Sequence, residues 1–235
     1  MHQISTEGFQ LSPQQKHLWL VQQVHRHLPY RSQFSLLITG QLDEKRLRWA
    51  LGHLANRYEI LRTTFQVLPE MLVPLQVIAE ADLPLVHNHD FSHLGAATQA
   101  AQIEALQRPE NQPAFDFSQP PLWHSLLVKM ASQQHLLLVS LPALCADAGT
   151  VKLFIQELYC VYAAETVEEN SIETTLQYAD LAEWQNELFT SKEGELGKAY
   201  WRNLDLGAHF NLKLPYENCQ PESLQFAPQV CTVDI

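Results

Sequence analysis

The hydrophobic pattern at the start of the chain predicts a helix followed by a strand. Ser12 and Pro13 are typical of a helix start, because Ser caps free backbone N–H groups and Pro fits the first turn. Apolar residues then recur at helical spacing until about His25. The segment 33–40, QFSLLITG, is rich in residues that favour extended backbone, and we expect a strand that ends at Gly40.

A second amphipathic helix is predicted from its N-cap, Asp43, to about residue 62. Its apolar residues repeat at intervals of three and four, as one face of a helix requires. They are Leu47, Ala50, Leu51, Leu54, Tyr58 and Leu61. Extended structure is expected beyond this helix, with short strands at 72–79 and 83–88 that prolines limit.

The second half of the chain also mixes helices and strands. Residues 94–107 are rich in Ala and Gln, which favours a helix, and strands are expected at 123–130 and 135–141. The later strand contains an unbroken apolar run, HLLLVSL, which indicates burial on both faces. Further helices are predicted at 150–164, 174–190 and 193–205, and a final strand at 229–235. This order predicts the α/β class: one mixed β-sheet packed with helices in a two-layer sandwich.

The composition adds limits on function. Of 235 residues, 46% are hydrophobic, which is enough for a packed core. Asp+Glu 26 against Lys+Arg 15 gives a net charge of −11, which speaks against nucleic acid or an anionic membrane as a partner. No apolar run approaches the roughly 20 residues that span a bilayer. Cys145, Cys160, Cys219 and Cys231 show no C-x-x-C spacing, so we expect reduced thiols in a cytoplasmic protein.

Several segments in order resemble the condensation domains of nonribosomal peptide synthetases. Residues 11–19 are similar to that family's opening "LS-x-x-Q-x-x-LW" helix, and residues 56–65 to "RHE-x-LRT-x-F". Residues 115–122 resemble "FD-x-x-x-x-PL", and residues 178–184 resemble "Y-x-DYA-x-W". Tyr200-Trp201 and Leu214-Pro215 stand where the family has a YW pair and an LP turn.

The resemblance implies a fold like that of chloramphenicol acetyltransferase, in which two such lobes form a V around a reaction tunnel. This chain corresponds to the first, N-terminal lobe, with residues 1–215 as the lobe and 216–235 as a crossover or C-terminal extension. Segments typical of the second lobe have no counterpart in it. A lobe without its partner is expected to expose an apolar flank, which another protein or a second copy would bury.

The family's catalytic turn, His-His-x-x-x-Asp-Gly, corresponds to residues 142–148. Pro142 and Ala143 stand where the family has its two histidines, whereas Asp147 stands where it has its aspartate. In the family, the second histidine is thought to assist attack of an amine on a carrier-bound thioester, as a general base or by positioning. Ala143 can do neither, so we expect no catalytic residue and no condensation by this chain alone.

Two other features of the turn allow alternative interpretations. By resemblance, Asp147 forms a structural ion pair with Arg62, which would shape the loop; the alternative is that Asp147 caps the helix that starts near Thr150. Cys145 is interpreted as a small buried thiol. The alternative is a nucleophile, which would need a neighbouring base or cation that the local sequence does not supply.

His87, His89 and His93 raise the question of a metal site. H-x-H on a strand places both rings on one face, which is a known ligand geometry. The sequence specifies no third ligand, and Asp90-Phe91-Ser92 resembles the "D-x-S" strand-to-helix junction of the condensation family. We therefore expect surface histidines and no metal.

Three functions remain open on the sequence. The first is a truncated, non-catalytic condensation-like domain that holds a neighbouring synthetase domain, docks a carrier protein with its phosphopantetheine, or recruits a tailoring enzyme. The second is amide-forming condensation completed by a second lobe from another chain or segment. The third is a stand-alone acyltransferase trimer, which would need the same histidine. No cofactor is expected to bind the chain directly, and a homo-oligomer through the uncovered flank is a further expectation.

Overall fold

The computed structural model describes residues 8–24, 30–80, 86–108, 111–164, 175–205 and 207. The chain divides into two compact units, residues 1–190 and 191–235. The first unit contains β1 (Phe9–Gln10), α1 (Pro13–Val24), β2 (Arg31–Thr39), α2 (Glu44–Arg57), a 3₁₀ turn (Glu59–Arg62), β3 (Thr63–Gln66), β4 (Leu75–Ile78), β5 (Val86–Asp90), α3 (Ala96–Gln107), β6 (His124–Ala131), β7 (Gln134–Pro142), α4 (Ala148–Ala163) and α5 (Tyr178–Thr190). The α/β class is confirmed.

The strands form two sheets, whereas the sequence led us to expect one. The larger has the order β2-β7-β6-β5 and is mixed, because β5 and β6 are parallel and the other pairs are antiparallel. The smaller has the order β1-β4-β3 and is antiparallel. The two sheets are separate because β3 and β4, which are near in sequence, pair with each other as a hairpin, and β1 adds to β4.

Local signals place the ends of several elements. Asp43 caps α2 as predicted, since its carboxylate accepts a hydrogen bond from Arg46 N at 3.0 Å. Strand β2 ends before Gly40, whose φ of 102° lies in the left-handed region that glycine adopts without steric cost. The helix predicted at 174–190 begins at Tyr178 in the described residues.

The larger sheet is buried on both faces along β7. Leu137, Val139 and Leu141 face a core formed with α2 and α4. Leu136 and Leu138 face the other side, where Ile103 and Leu106 of α3 pack against them. The unbroken apolar run of this strand therefore has the two-sided burial that its pattern predicted.

A third apolar cluster connects the smaller sheet to the end of β7. It consists of Leu11, Trp19, Phe65, Leu122, Leu144 and Cys145. The ring of Trp19 meets Phe117 edge-on, with 5.7 Å between the ring centroids. This cluster places the turn that corresponds to the family's catalytic turn, with Leu144 and Cys145, against α1 and β3.

The second unit contains helix α6 (Lys192–Asn203). Ser191 caps it, because its hydroxyl accepts a hydrogen bond from Gly194 N at 3.1 Å. The proposed extension at 216–235 and the strand expected at 229–235 lie outside the described residues. No helix among the described residues is both long enough and apolar enough to cross a membrane.

Candidate functional site

The turn at 142–147 joins β7 to α4 and is held to β2 by backbone and side-chain hydrogen bonds. Ala143 N donates to Tyr30 O at 3.0 Å, and Cys145 N donates to Pro142 O at 2.9 Å. The hydroxyl of Ser32 donates to Ala146 O at 2.7 Å. The backbone at positions 142–146 is thus positioned without any contribution from imidazole side chains.

Two buried glutamines hold the turn from its other side. Gln15 Nε2 donates to Leu144 O at 3.0 Å and to Gln76 Oε1 at 3.1 Å. Gln76 Nε2 in turn donates to Gln10 O at 3.0 Å. Gln15 Oε1 accepts from Ser12 N at 3.0 Å, so this network joins β1, α1, β4 and the turn. A buried polar network in which each member is bonded makes one backbone arrangement specific.

Sequence analysis did not identify this network. Gln15 lies in the segment that resembles "LS-x-x-Q-x-x-LW", so its position in the motif was a usable signal. Gln76 has no such signal, because only the pairing of β1, β4 and β3 shows that its side chain is enclosed.

Asp147 caps α4. Its Oδ1 accepts hydrogen bonds from Thr150 N and from Thr150 Oγ1, each at 2.8 Å. These two bonds, the backbone one first, hold the pKa of this carboxyl below its usual value. This arrangement is the alternative that the sequence left open for Asp147.

The structure does not bring Arg62 and Asp147 together as an ion pair. Arg62 Nη2 lies 3.2 Å from Glu59 Oε1, and Arg62 Nη1 donates to Ala79 O at 2.6 Å. Each residue of the expected pair is therefore bonded to a residue near it in the sequence instead. Glu59 neutralises Arg62 within the 3₁₀ turn, and Thr150 supplies both donors to Asp147.

Cys145 lies in the third apolar cluster and is 8% exposed. Burial raises the pKa of its thiol to about 12, so the thiolate is scarcely populated at neutral pH. Because the thiolate is the nucleophilic form, the surroundings of Cys145 are those of a small core residue.

The histidines in the described residues do not assemble around the turn. His87 and His89 are exposed on β5. His124 at the start of β6 is stacked on Phe115, with ring centroids 5.2 Å apart, and burial, then Arg31 and His87, lower the pKa of its imidazole. None of the described histidines pairs with Asp147, and no group of His, Cys, Asp and Glu in the same residues is arranged to hold a metal ion.

A cavity of about 230 Å³ lies near this end of the larger sheet. Its lining includes Ser140, two residues before the turn, together with His87, His89 and His124. His87 and His89, which the sequence led us to expect at the surface, thus line one cavity together with His124. No local pattern indicated it, because the cavity depends on the pairing of β5, β6 and β7.

The mixed sheet, the central strand buried on both faces and the capped turn-to-helix junction agree with the single lobe of a chloramphenicol acetyltransferase-like fold that the resemblance implied. The protein-family model described as "Condensation domain" matches residues 6–235 of the chain. The chain belongs to the condensation-domain family, and the resemblance found in the sequence is confirmed.

Similar proteins include peptide synthases. The chain is 33% identical to chondramide synthase cmdD of Chondromyces crocatus over 218 residues, which cover 90% of this chain and 5% of that protein. It is 32% identical to surfactin synthase subunit 2 of Bacillus subtilis (strain 168) over 221 residues, 93% of this chain and 6% of that protein. The chain therefore spans a small part of the curated relatives that it matches.

Solved structures show the same fold. The starter condensation domain of the rhizomide synthetase RzmA, in a mutant form, matches with a TM-score of 0.73 and 22% identity. The match covers 90% of this chain and 50% of that chain. At this level of identity the similarity establishes the fold, and the chain corresponds to about half of that solved domain.

Proposed function

We propose that this chain is a condensation-type lobe of a nonribosomal peptide synthetase that does not itself form amide bonds. Its role is structural: it docks a neighbouring synthetase domain, a carrier protein with its phosphopantetheine, or a tailoring enzyme. Family membership and the synthase relatives support the placement of this lobe in a nonribosomal peptide synthetase. The chemistry of the turn supports the lack of catalysis.

The observation that carries the proposal is Ala143 at the position of the family's second histidine. Attack of an amine on a thioester requires loss of a proton from the amine, and a side chain with a pKa near the operating pH serves this step best. A methyl group has no proton acceptor. The nearby groups are committed elsewhere, since Asp147 caps α4 and Cys145 is a buried, protonated thiol.

The turn is nevertheless held in place by hydrogen bonds from several elements. Gln15 binds the Leu144 carbonyl, while Tyr30 O accepts from Ala143 N and Ser32 Oγ of β2 donates to Ala146 O. A lobe that keeps its scaffold without the base suits a docking role better than a degraded enzyme does.

Exposed apolar side chains on α1 and α5 support a docking surface. The two helices meet where Lys16 Nζ donates to Asn186 Oδ1 at 2.9 Å. On these two helices, Val24 of α1 is 75% exposed and Trp184 of α5 is 56% exposed. Large apolar groups of this kind are typical of surfaces that a partner covers.

One observation favours the second function, condensation completed by another lobe. The chain corresponds to 50% of the RzmA domain, so a second lobe from another chain or segment would be needed to enclose a reaction tunnel. Positioning alone can lower a barrier by several kcal/mol, so such a complex could act without a histidine.

An acyl-transfer assay separates the two functions. The purified chain is mixed with a carrier-bound aminoacyl donor and a carrier-bound acceptor, and the dipeptidyl product is measured by mass spectrometry. A condensation domain with the intact His-His turn is the positive control. We expect no product above the carrier-only background.

Product formation that Asp147→Asn or Cys145→Ala abolishes would overturn the inert assignment. The docking role is tested separately by size-exclusion chromatography with light scattering, alone and with a carrier protein. A monomer that binds no carrier and does not bind an apolar-surface dye would contradict docking through α1 and α5.

A further inference from the structure

The cavity beside the first residues of β5 and β6 is lined by an unusual combination of side chains. Its described lining contains uncharged polar and apolar side chains and three histidines, but no Asp or Glu, although the chain has 26 acidic residues. Four polar lining residues, Gln33, Gln112, Ser140 and His124, form what we call the polar end. They lie near one another, because Gln112 bonds to Gln33, Arg31 joins Gln112 to Ser140, and His124 lies opposite Ser140. The apolar lining includes Leu106, Leu126 and Leu138, which belong to one apolar cluster.

Arg31 lies directly behind the polar end. Its Nη1 donates to Gln112 Oε1 at 2.6 Å and to Ser140 Oγ at 3.1 Å, and its Nη2 donates to Pro113 O at 3.1 Å. The guanidinium carbon lies 4.7 Å from the centre of the Phe115 ring. Arg31 is therefore bound from several directions, and every one of these groups is neutral.

The charge of Arg31 has no counter-ion in the described part of the chain. None of the ion pairs formed by those residues includes it, and burial lowers its pKa from the ordinary value. A partly buried cation that hydrogen-bonds only to neutral groups loses part of its hydration without gaining a counter-ion, and an anion nearby would stabilise it.

Ser140 connects this charge to the cavity. Its hydroxyl is buried and accepts a hydrogen bond from Arg31, so its own proton remains available to donate to a ligand. His124 stands beside Ser140 in the register of β6 and β7, and its Nε2 is buried without a hydrogen-bond partner in the structure. The polar end thus combines a donor, an unsatisfied imidazole and a positive charge.

We propose that this cavity binds a small monocarboxylic acid with a short apolar tail. The carboxylate lies against Ser140 and His124, in front of Arg31, and the tail lies against Leu106, Leu126 and Leu138. A metal cation does not suit the site, because Arg31 would repel it and the described histidines do not have the arrangement of ligands. The proposal is independent of whether the chain forms amide bonds.

A titration of the purified chain with three probes tests the proposal, monitored by calorimetry and by the NMR signals of the residues at the cavity. The probes are hexanoate, hexanamide and inorganic phosphate. We expect hexanoate to bind at least about tenfold more tightly than hexanamide, a difference of about 1.4 kcal/mol, because only the carboxylate neutralises Arg31. Phosphate, which lacks a tail, should not compete.

Matched variants identify the cation responsible. Arg31→Gln should weaken hexanoate binding about tenfold and leave hexanamide binding unchanged. Arg57→Gln removes an equal charge from α2, where Arg57 pairs with Glu157 at 3.4 Å, and should have no effect. If Arg31→Gln does not fold, Ser140→Ala and the blocking variant Leu106→Trp replace it, and both should lower hexanoate affinity.

Three outcomes would overturn the assignment. They are the absence of hexanoate binding, equal binding of hexanoate and hexanamide, and an equal loss of affinity in Arg57→Gln. None of these depends on the acyl-transfer assay, so failure of this proposal and failure of the inert-lobe proposal are separate results.

Discussion

Substitution of Gln15 by leucine should strongly destabilise the first unit. The Gln15 side chain makes three hydrogen bonds, to Leu144 O, Gln76 Oε1 and Ser12 N, and Gln15 is 3% exposed. Leucine is close to glutamine in size but bonds to none of these atoms. The substitution therefore leaves partners unsatisfied without creating a large cavity.

The magnitude follows from the number of partners left unsatisfied. A buried polar group that loses its partner costs about 1–3 kcal/mol, and Gln15→Leu leaves such groups at the carbonyl of Leu144, the amide of Gln76 and the N–H of Ser12. A gain in apolar burial offsets part of this cost. We expect the free energy of unfolding to fall by roughly 3 kcal/mol, a large share of the stability of an ordinary domain.

Urea unfolding followed by tryptophan fluorescence measures this change, since Trp19 lies in the same cluster as the turn. Gln14→Leu is the matched control, because Gln14 precedes Gln15 on α1 and is exposed. The control should change stability by less than about 0.5 kcal/mol.

A double-mutant cycle with Gln76→Leu tests whether the two glutamines act as one network. Residues that share hydrogen bonds show coupling energies of about 0.5–3 kcal/mol, so the double variant should be less destabilised than the sum of the single variants. Equal effects of Gln15→Leu and Gln14→Leu, or strict additivity with Gln76→Leu, would refute the reasoning that this network fixes the turn.

Three further predictions concern the turn itself. Asp147→Ala should lower stability by about 1 kcal/mol at neutral pH, as loss of an N-cap does. Because the folded-state pKa of Asp147 lies below its ordinary value of 3.8, the wild type holds this advantage above pH 3.8 and loses it as the pH falls through the folded value, so thermal melts of wild type and variant should converge in acid. Double-mutant analysis of Arg62→Ala and Asp147→Ala should give a coupling energy below about 0.5 kcal/mol, whereas a larger value would restore the ion pair. At pH 8, peptide-resolved mass spectrometry should show iodoacetamide labelling at exposed Cys160 and none at Cys145, and equal labelling would contradict the buried thiol.

Local patterns sufficed for elements whose burial is continuous. The stripe of α2 up to Leu54 and the apolar run of β7 indicated the correct structures, because α2 presents one face to the core and β7 is buried on both faces. The helix ends at Arg57, before its predicted end at about residue 62, and a 3₁₀ turn follows. The Asp43 cap was also predictable, because a cap involves residues only three positions apart.

The features that form the candidate site were harder to predict from the sequence. Strand β1 has two residues and forms only through pairing with β4, so no period in the sequence marks it. The position of Arg31 behind Ser140 depends on the register of β2 with β7 and on a loop that brings Gln112 to the same place. Such contacts join residues far apart in the chain, and hydrophobic spacing contains no information on them.

The parallel pairing of β5 with β6 has a consequence for where small molecules can enter this lobe. Parallel neighbours require the chain to travel back along the sheet, and here α3 covers the strand centres while the proline-containing segment after it returns to His124. An irregular return passage fills space less tightly than a helix does. The opening at the amino-terminal ends of these strands therefore results from the path that the chain takes between β5 and β6. Substitutions in the connecting segment would enlarge or close it without altering the packed core of the sheet.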